Sequence, residues 1–337
     1  MAGFDGKTII PGRRLRAAVP GPTLAPMRDR ATVEEARFRA IFRRAHADHP
    51  GCAADEWLMR ACAAERSLVW SRRNGPWRRV EVLWVGAAPG NAGGMGGGDM
   101  GAHATRIPFG GDIAGANLDH LLASVGLDRN STFIVASLNQ LPDRGGGEPR
   151  VAELARPVGD YATSAHLLRD TILATGPRLV VALGNVGLRT TVAAARLEET
   201  PGRLVLPGLA RLEAEGLARG RAAPWPAGDA APDAAFLDAW REANGSAPLP
   251  RLLWLLHPSA QNMSPHAGRE TAFHRRMVDT RAALRKAIAN VLGRVPEATD
   301  GIPVDPDPGG VYGLPEWRHA VGPRHLELIA LWREKGL

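Results

Sequence analysis

Lysine is nearly missing from this chain: only Lys7, Lys286 and Lys335 stand among 42 basic residues in 337. Cysteine is scarcer still, and Cys52 and Cys62 alone exclude a disulfide framework or a four-cysteine iron–sulfur cluster. No apolar run approaches the roughly 18 residues that a membrane span requires. The opening MAGFDGKTIIPGRR has no apolar stretch of the secretory kind. His103, His120 and His266 lack ligand-type spacing to partners, so no metal and no cofactor is expected. These absences point to a soluble, cytoplasmic, bacterial protein.

What is present is enough for a globular fold. Hydrophobic residues make up 45% and charged residues 23%, which excludes a wholly disordered chain. Formal charge is +7 and the isoelectric point about 10.3. A basic excess suits a polyanion, because each phosphate neutralised releases a condensed counterion. A GC-rich genome that substitutes Arg for Lys is the competing explanation of the composition. Clustering is the more telling observation: basic residues gather at Arg37 to Arg44, Arg72 to Arg79 and Arg269 to Lys286.

Residues 1–30 are rich in Pro, Gly and Arg without periodicity and read as a surface arm. Thr32-Val-Glu-Glu35 is a capping box opening a helix to about Ala47, and a second helix covers Asp55 to Val69. Short apolar runs at Val80 to Val85, Thr132 to Leu138, Leu179 to Leu183 and Leu252 to Leu256 read as buried parallel strands. Helices are expected at Asn117 to Val125, Ala162 to Ala174, Phe236 to Ala243, Arg269 to Leu292 and Arg324 to Lys335, with Pro/Ala linker through the rest of 198–250. The alternation predicts a three-layer α/β/α fold around a mainly parallel four-stranded sheet, with helical N- and C-terminal extensions. The expected divisions are an arm and helical extension over 1–75, a main α/β domain over 76–294 with an insertion at 198–250, and a linker and last helix over 295–337.

Ligands in such sheets bind where the strands' carboxyl ends open into loops. Gly86-Ala-Ala-Pro-Gly90 follows the first strand, but it is neither a dinucleotide fingerprint nor a P-loop, since no Gly-Lys-Ser/Thr follows. Pro108-Phe-Gly-Gly-Asp-Ile-Ala-Gly-Ala-Asn-Leu-Asp119 sets an aromatic, two glycines and a carboxylate before a helix. Phe109 is either core or a platform for a planar ring. Asp112 is either a helix cap or a functional carboxylate. His257-Pro-Ser-Ala-Gln-Asn262 leaves the most apolar strand. His257 is placed there to donate a hydrogen bond to a developing anion, or is a satisfied residue before a capped helix.

In order along the chain, Gly86 to Gly90, Pro108 to Asp119, Ala182-Leu-Gly184 and His257 to Ser259 resemble the motifs of the uracil-DNA glycosylase superfamily. The resemblance runs over about residues 80–292 and is nearest to the B-type (fifth-family) enzymes, which share His-Pro-Ser-x-Gln-Asn. Like them, this chain has no polar side chain at Ala87 or Ala88, where other families carry a water-activating group.

The resemblance implies a glycosylase acting on double-stranded DNA, with His257 and Asp112 catalytic. It also implies that Ala87, Ala88, Gly90, Asn91, Phe109, Ser137 and Asn139 surround an extruded base. Ser259, Gln261, Asn262, Arg269, Arg275 and Arg276 would then meet DNA. Two departures bear on the substrate. The glycine-laden stretch from Gly93 to Thr105 is longer than the usual loop, and glycine leaves room. The uracil-reading amide of the family falls near Ala136 or Ser137, with Asn139 late in register. The expected base is therefore a bulky modified pyrimidine such as hydroxymethyl- or glucosyl-hydroxymethylcytosine of phage DNA, which would make the role antiviral. Uracil and other deaminated bases are the repair alternative, and a non-catalytic DNA-binding module is the rival from another class.

Overall fold

The computed structural model describes residues 80–87, 109, 112–129, 131–137, 160–196, 207–294, 297–299 and 322–337. The expected arm and helices before residue 76, the loop from Gly93 to Thr105 and the segment around 301–320 lie outside the described residues. So do Ala88, Gly90, Asn91 and Asn139.

Strands β1 (Val82–Gly86), β2 (Phe133–Ala136), β3 (Leu179–Leu183), β4 (Ala222–Ala223) and β5 (Arg251–Leu255) form one sheet in the order β2-β1-β3-β5-β4. All neighbours pair in parallel except β4, which runs antiparallel to β5. Among the described residues the α-helices are α1 (Ile113–Ala123), α2 (Asp160–Thr175), α3 (Gly184–Ala194), α4 (Leu209–Ala214), α5 (Ala234–Asn244), α6 (Ala272–Leu292) and α7 (Pro323–Glu334). Among the described residues no helix is long and apolar enough to cross a membrane.

The parallel strands are apolar throughout because both faces are covered, and alternate residues serve opposite cores. Leu83, Val85, Phe133, Val180, Ala182, Leu252 and Trp254 pack with Ile172 of α2, Leu188 and Val192 of α3, and Phe236 and Trp240 of α5. Val82, Trp84, Ile134, Val181, Leu183, Leu253 and Leu255 pack with Leu118 and Leu121 of α1, Leu284 and Ile288 of α6, and Trp332 of α7. The three layers are therefore as the strand–helix alternation predicts, with a mainly parallel sheet at the centre.

Among the described residues the sheet has five strands rather than the expected four. The extra strand, β4, is two alanines with no strand signal of their own. It exists because the outer edge of β5 has unpaired backbone groups, which Ala222 and Ala223 engage opposite Leu253 and Leu252. The helix expected at Phe236 to Ala243 is α5, whereas the expected linker around it holds α4 and β4.

Helix α3 was not expected after Leu183 either. Gly184 makes it possible: its φ of +74° turns β3 straight into the helix without a connecting loop. Helix α1 begins four residues earlier than its leucines suggest, because the Asp112 carboxylate accepts from Gly115 N at 2.7 Å and starts the helix there. Thr271 similarly starts α6 at Ala272, not Arg269.

Helix α3 rides directly on β1. A Cβ at Gly187 would lie 2.6 Å from the Val85 carbonyl oxygen. Gly187→Ala must push the helix off the strand, and overpacking of this kind costs about 1–3 kcal/mol. The expected result is a lower urea midpoint with an unchanged slope; an unaltered midpoint would show that the layer yields freely.

Candidate active site

The carboxyl ends of β1 and β5 and the start of α1 open on the same end of the sheet. Gly86 closes β1, and its missing side chain is filled by Phe109: a Cβ there would sit 2.7 Å from Phe109 Cζ. Among the described residues Phe109 is the single non-glycine with positive φ, at 54°. That conformation crowds Cβ against the backbone and persists only where surroundings impose it. The imposing groups are visible. Arg129 Nη2 donates to the Phe109 carbonyl at 3.0 Å, and a Cβ on Gly115 would collide with the same oxygen at 1.8 Å. Phe109 is thus half-buried and fixed at a strand end, with the tip of its ring over Gly86 and the side chain packed against the core, as one of its two readings holds.

His257 leaves β5 and meets Phe109, with ring centroids 5.6 Å apart and planes inclined by 36°. Gly184 at the end of β3 makes room, since a Cβ on it would lie 3.1 Å from His257 Cβ. Burial lowers the His257 pKa to about 4, so the imidazole is neutral at physiological pH and keeps one N–H to donate.

The loop carrying His257 is held from beneath by Asn117, a fully buried residue of α1. Its amide donates to Pro258 O and to Met263 O, both at 2.8 Å. Asn262 donates to His257 O at 2.8 Å and approaches Ser259 Oγ at 3.4 Å. Its side chain therefore folds back to brace the loop, which differs from the expected insertion toward DNA. Asp112 caps α1, as one of its two readings holds, and also lines a cavity of about 370 Å³ with Ser259, Ala260, Arg324 and Leu328. Neither Phe109 nor His257 lines it.

The other expected site residues are placed less directly. Ala87 follows Gly86 in the strand-end turn. The Ser137 hydroxyl donates to Gly86 O at 2.6 Å, splinting β2 to β1 rather than presenting a group to a base. Gln261 and Arg275 are exposed. Arg269 Nη2 donates to Glu334 O at 2.7 Å, and Arg276 Nη1 is shared between Gln261 O and Asn262 O at 3.4 Å each. Both guanidiniums hold this loop and the C-terminal helix in place as well as facing solvent.

Sequence reading missed Asn117, Asp119, Arg129, Arg324, His325 and Trp332. The available signal was a pair of polar residues, Asn117 and Asp119, set among the leucines of an otherwise apolar helix. Polar groups in such a place must find partners.

A family model described as Uracil DNA glycosylase superfamily matches residues 74–281. The chain belongs to the uracil-DNA glycosylase superfamily. No curated protein shows a significant match to it. Membership supports hydrolase activity as a DNA glycosylase, with DNA as the partner.

For this superfamily member the protonation state of His257 is a measurable consequence of burial. The unfolded imidazole titrates near 6.5, the folded one near 4. Between those values the unfolded chain binds the extra proton. The stability due to a neutral His257 is therefore complete above about pH 6.5 and is lost as pH falls through that window. Proton-detected titration should show no His257 inflection between about pH 5.5 and 8. The urea midpoint should fall less steeply with acid in His257→Phe than in the wild type; a His257 midpoint near 6.5 would contradict the burial.

Proposed function

We propose that this protein extrudes a non-canonical nucleotide from double-stranded DNA and hydrolyses its N-glycosidic bond, leaving an abasic site. The observation that carries the reading is the meeting of Phe109 and His257 at 5.6 Å on the end of the sheet where α1 also presents Asp112. A flipped base stacks on the Phe109 ring, which Gly86 leaves unobstructed from below.

As the bond from C1′ to the base nitrogen breaks, its electron pair leaves with the base and positive charge develops on the sugar. Neutral His257 donates its N–H to the pyrimidine O2 as that oxygen becomes anionic. A charged histidine is not needed, and in a desolvated site a neutral donor is the stable form. The backbone N–H of Ala87 serves the same anion. The Asp112 carboxylate stabilises the sugar cation and orients the water whose oxygen bonds to C1′, and the proton this water sheds goes by way of the carboxylate to the departing base. One Asp112 oxygen capping α1 is compatible with this, because a carboxylate accepts through both oxygens. Ser259 and Gln261 face the strand gap, and Arg275, with Arg269 and Arg276, faces phosphates.

The favoured substrate is a bulky modified pyrimidine, hydroxymethyl- or glucosyl-hydroxymethylcytosine in phage DNA, and the favoured role is antiviral. Two features support this. The Gly93 to Thr105 stretch is rich in glycine, and at the end of β2 neither Ala136 nor Ser137 carries an amide to select uracil, the Ser137 hydroxyl being bonded to Gly86 O. Uracil and other deaminated bases remain the second reading, favoured by the family match itself.

A panel of duplexes, each carrying one unusual base, separates these readings when scored for abasic sites. Strand scission after alkali is expected with the modified cytosines. His257→Ala should lower the single-turnover rate by about 100- to 1,000-fold, the range for loss of one oxyanion donor. Asp112→Asn should also slow excision while leaving duplex affinity intact. Cleavage of uracil, hypoxanthine or xanthine duplexes alone moves the protein to repair. Tight binding with no cleavage of any duplex makes it a binding module.

A further inference from the structure

The family match ends at residue 281, inside α6, whereas α7 begins at Pro323 and packs on α1. Two side chains of α7, His325 and Trp332, are both buried and lie seven residues apart, two turns along one face. Each reaches a buried polar residue of α1. Trp332 Nε1 donates to Asn117 Oδ1 at 2.7 Å, and the amide of Asn117 carries on to Pro258 O and Met263 O. His325 Nε2 lies 2.7 Å from Asp119 Oδ2. Asp119 accepts from Arg129 Nε at 2.7 Å, and Arg129 Nη2 carries on to Phe109 O. One path ends on the loop bearing His257, the other on the backbone of Phe109.

Both endpoints need such support. Phe109 holds a positive φ that an unrestrained phenylalanine leaves, and the oxygen that Arg129 grips is the one that Gly115 must be a glycine to admit. The His257 loop runs from Leu256 to Gly268 without a helix or strand; its own bonds are short-range turns, and the Asn117 amide ties two of its carbonyls to α1. Asp119 is suited to transmit the hold. Burial by itself would raise its pKa, but Arg129 and His325 together keep it below the usual carboxylate range, so it stays charged between them.

We infer that α7 is a two-armed clamp for the excision site, with Trp332 and His325 as positioning residues for the His257 loop and for Phe109. Its role in excision rests on the glycosylase reading above; the clamp geometry does not. The segment beyond the matched domain is thereby a working part of the site.

The test uses the full chain in three variants. Trp332→Phe keeps an aromatic ring but removes the N–H; His325→Leu removes the ring nitrogen; His325→Gln restores a polar donor. Hydrogen–deuterium exchange reads the geometry without any activity. Trp332→Phe should speed exchange about tenfold in peptides over 257–265 and leave the Phe109 peptide unchanged. His325→Leu should do the reverse, with His325→Gln back near wild type and β1 and β3 unmoved throughout. Equal loosening everywhere, or none, overturns the clamp as a mere structural contact.

In single-turnover excision on the duplex identified by the panel, Trp332→Phe and His325→Leu should each be slower by about 10- to 100-fold. Duplex Kd should stay within about threefold, since the phosphate-facing arginines are untouched. Wild-type rates in both variants overturn the positioning role. If the wild-type protein itself excises nothing, the exchange pattern still decides the clamp, and only the glycosylase reading falls.

Discussion

A polar side chain withdrawn from water loses about 1–3 kcal/mol of stability unless it is bonded inside the protein. Asn117 is completely buried in α1, and Asp119 one half-turn on is 4% exposed. Among the described residues Asn117 meets two loop carbonyls and an indole, all more than a hundred positions away, and Asp119 meets the Arg129 guanidinium ten positions on and the His325 imidazole of α7. These bonds draw together α1, the His257 loop, Arg129 and α7. An apolar helix in the same place would fill the core equally well and would leave the loops free. Directional bonding is what places them.

The chemistry at the surface of this arrangement follows from desolvation. His257 lies among Phe109, Gly184 and the strand end, and there the neutral imidazole is favoured by more than two pKa units relative to water, its pKa falling from 6.5 to about 4. The same effect, reinforced by Arg281 and Arg333, lowers buried His120 to about 3.

Much of the fold was legible locally. Buried parallel strands are continuous apolar runs, and four such runs matched β1, β2, β3 and β5 closely. The helices were found where leucines repeat, with boundaries displaced wherever a cap decided the start, as Asp112 and Thr271 do. The failures have one cause. Strand β4 has no propensity of its own and is made by pairing with β5; α3 hinges on the positive φ of Gly184; and the bracing roles of Ser137 and Asn262 depend on carbonyls supplied by other loops.

The linear order of residues settled the layered α/β class and the glycosylase-like motifs, and it marked Phe109, Asp112 and His257 for attention. Those signals are carried by neighbours a few positions apart, where periodicity and turn chemistry operate. Folding alone decided that His257 is neutral, that Phe109 is held in a strained turn, and that a helix beyond the matched domain grips both. Burial and hydrogen bonding act between atoms close in space, and the Asn117–Trp332 bond joins residues 215 positions apart; no local pattern records such a distance.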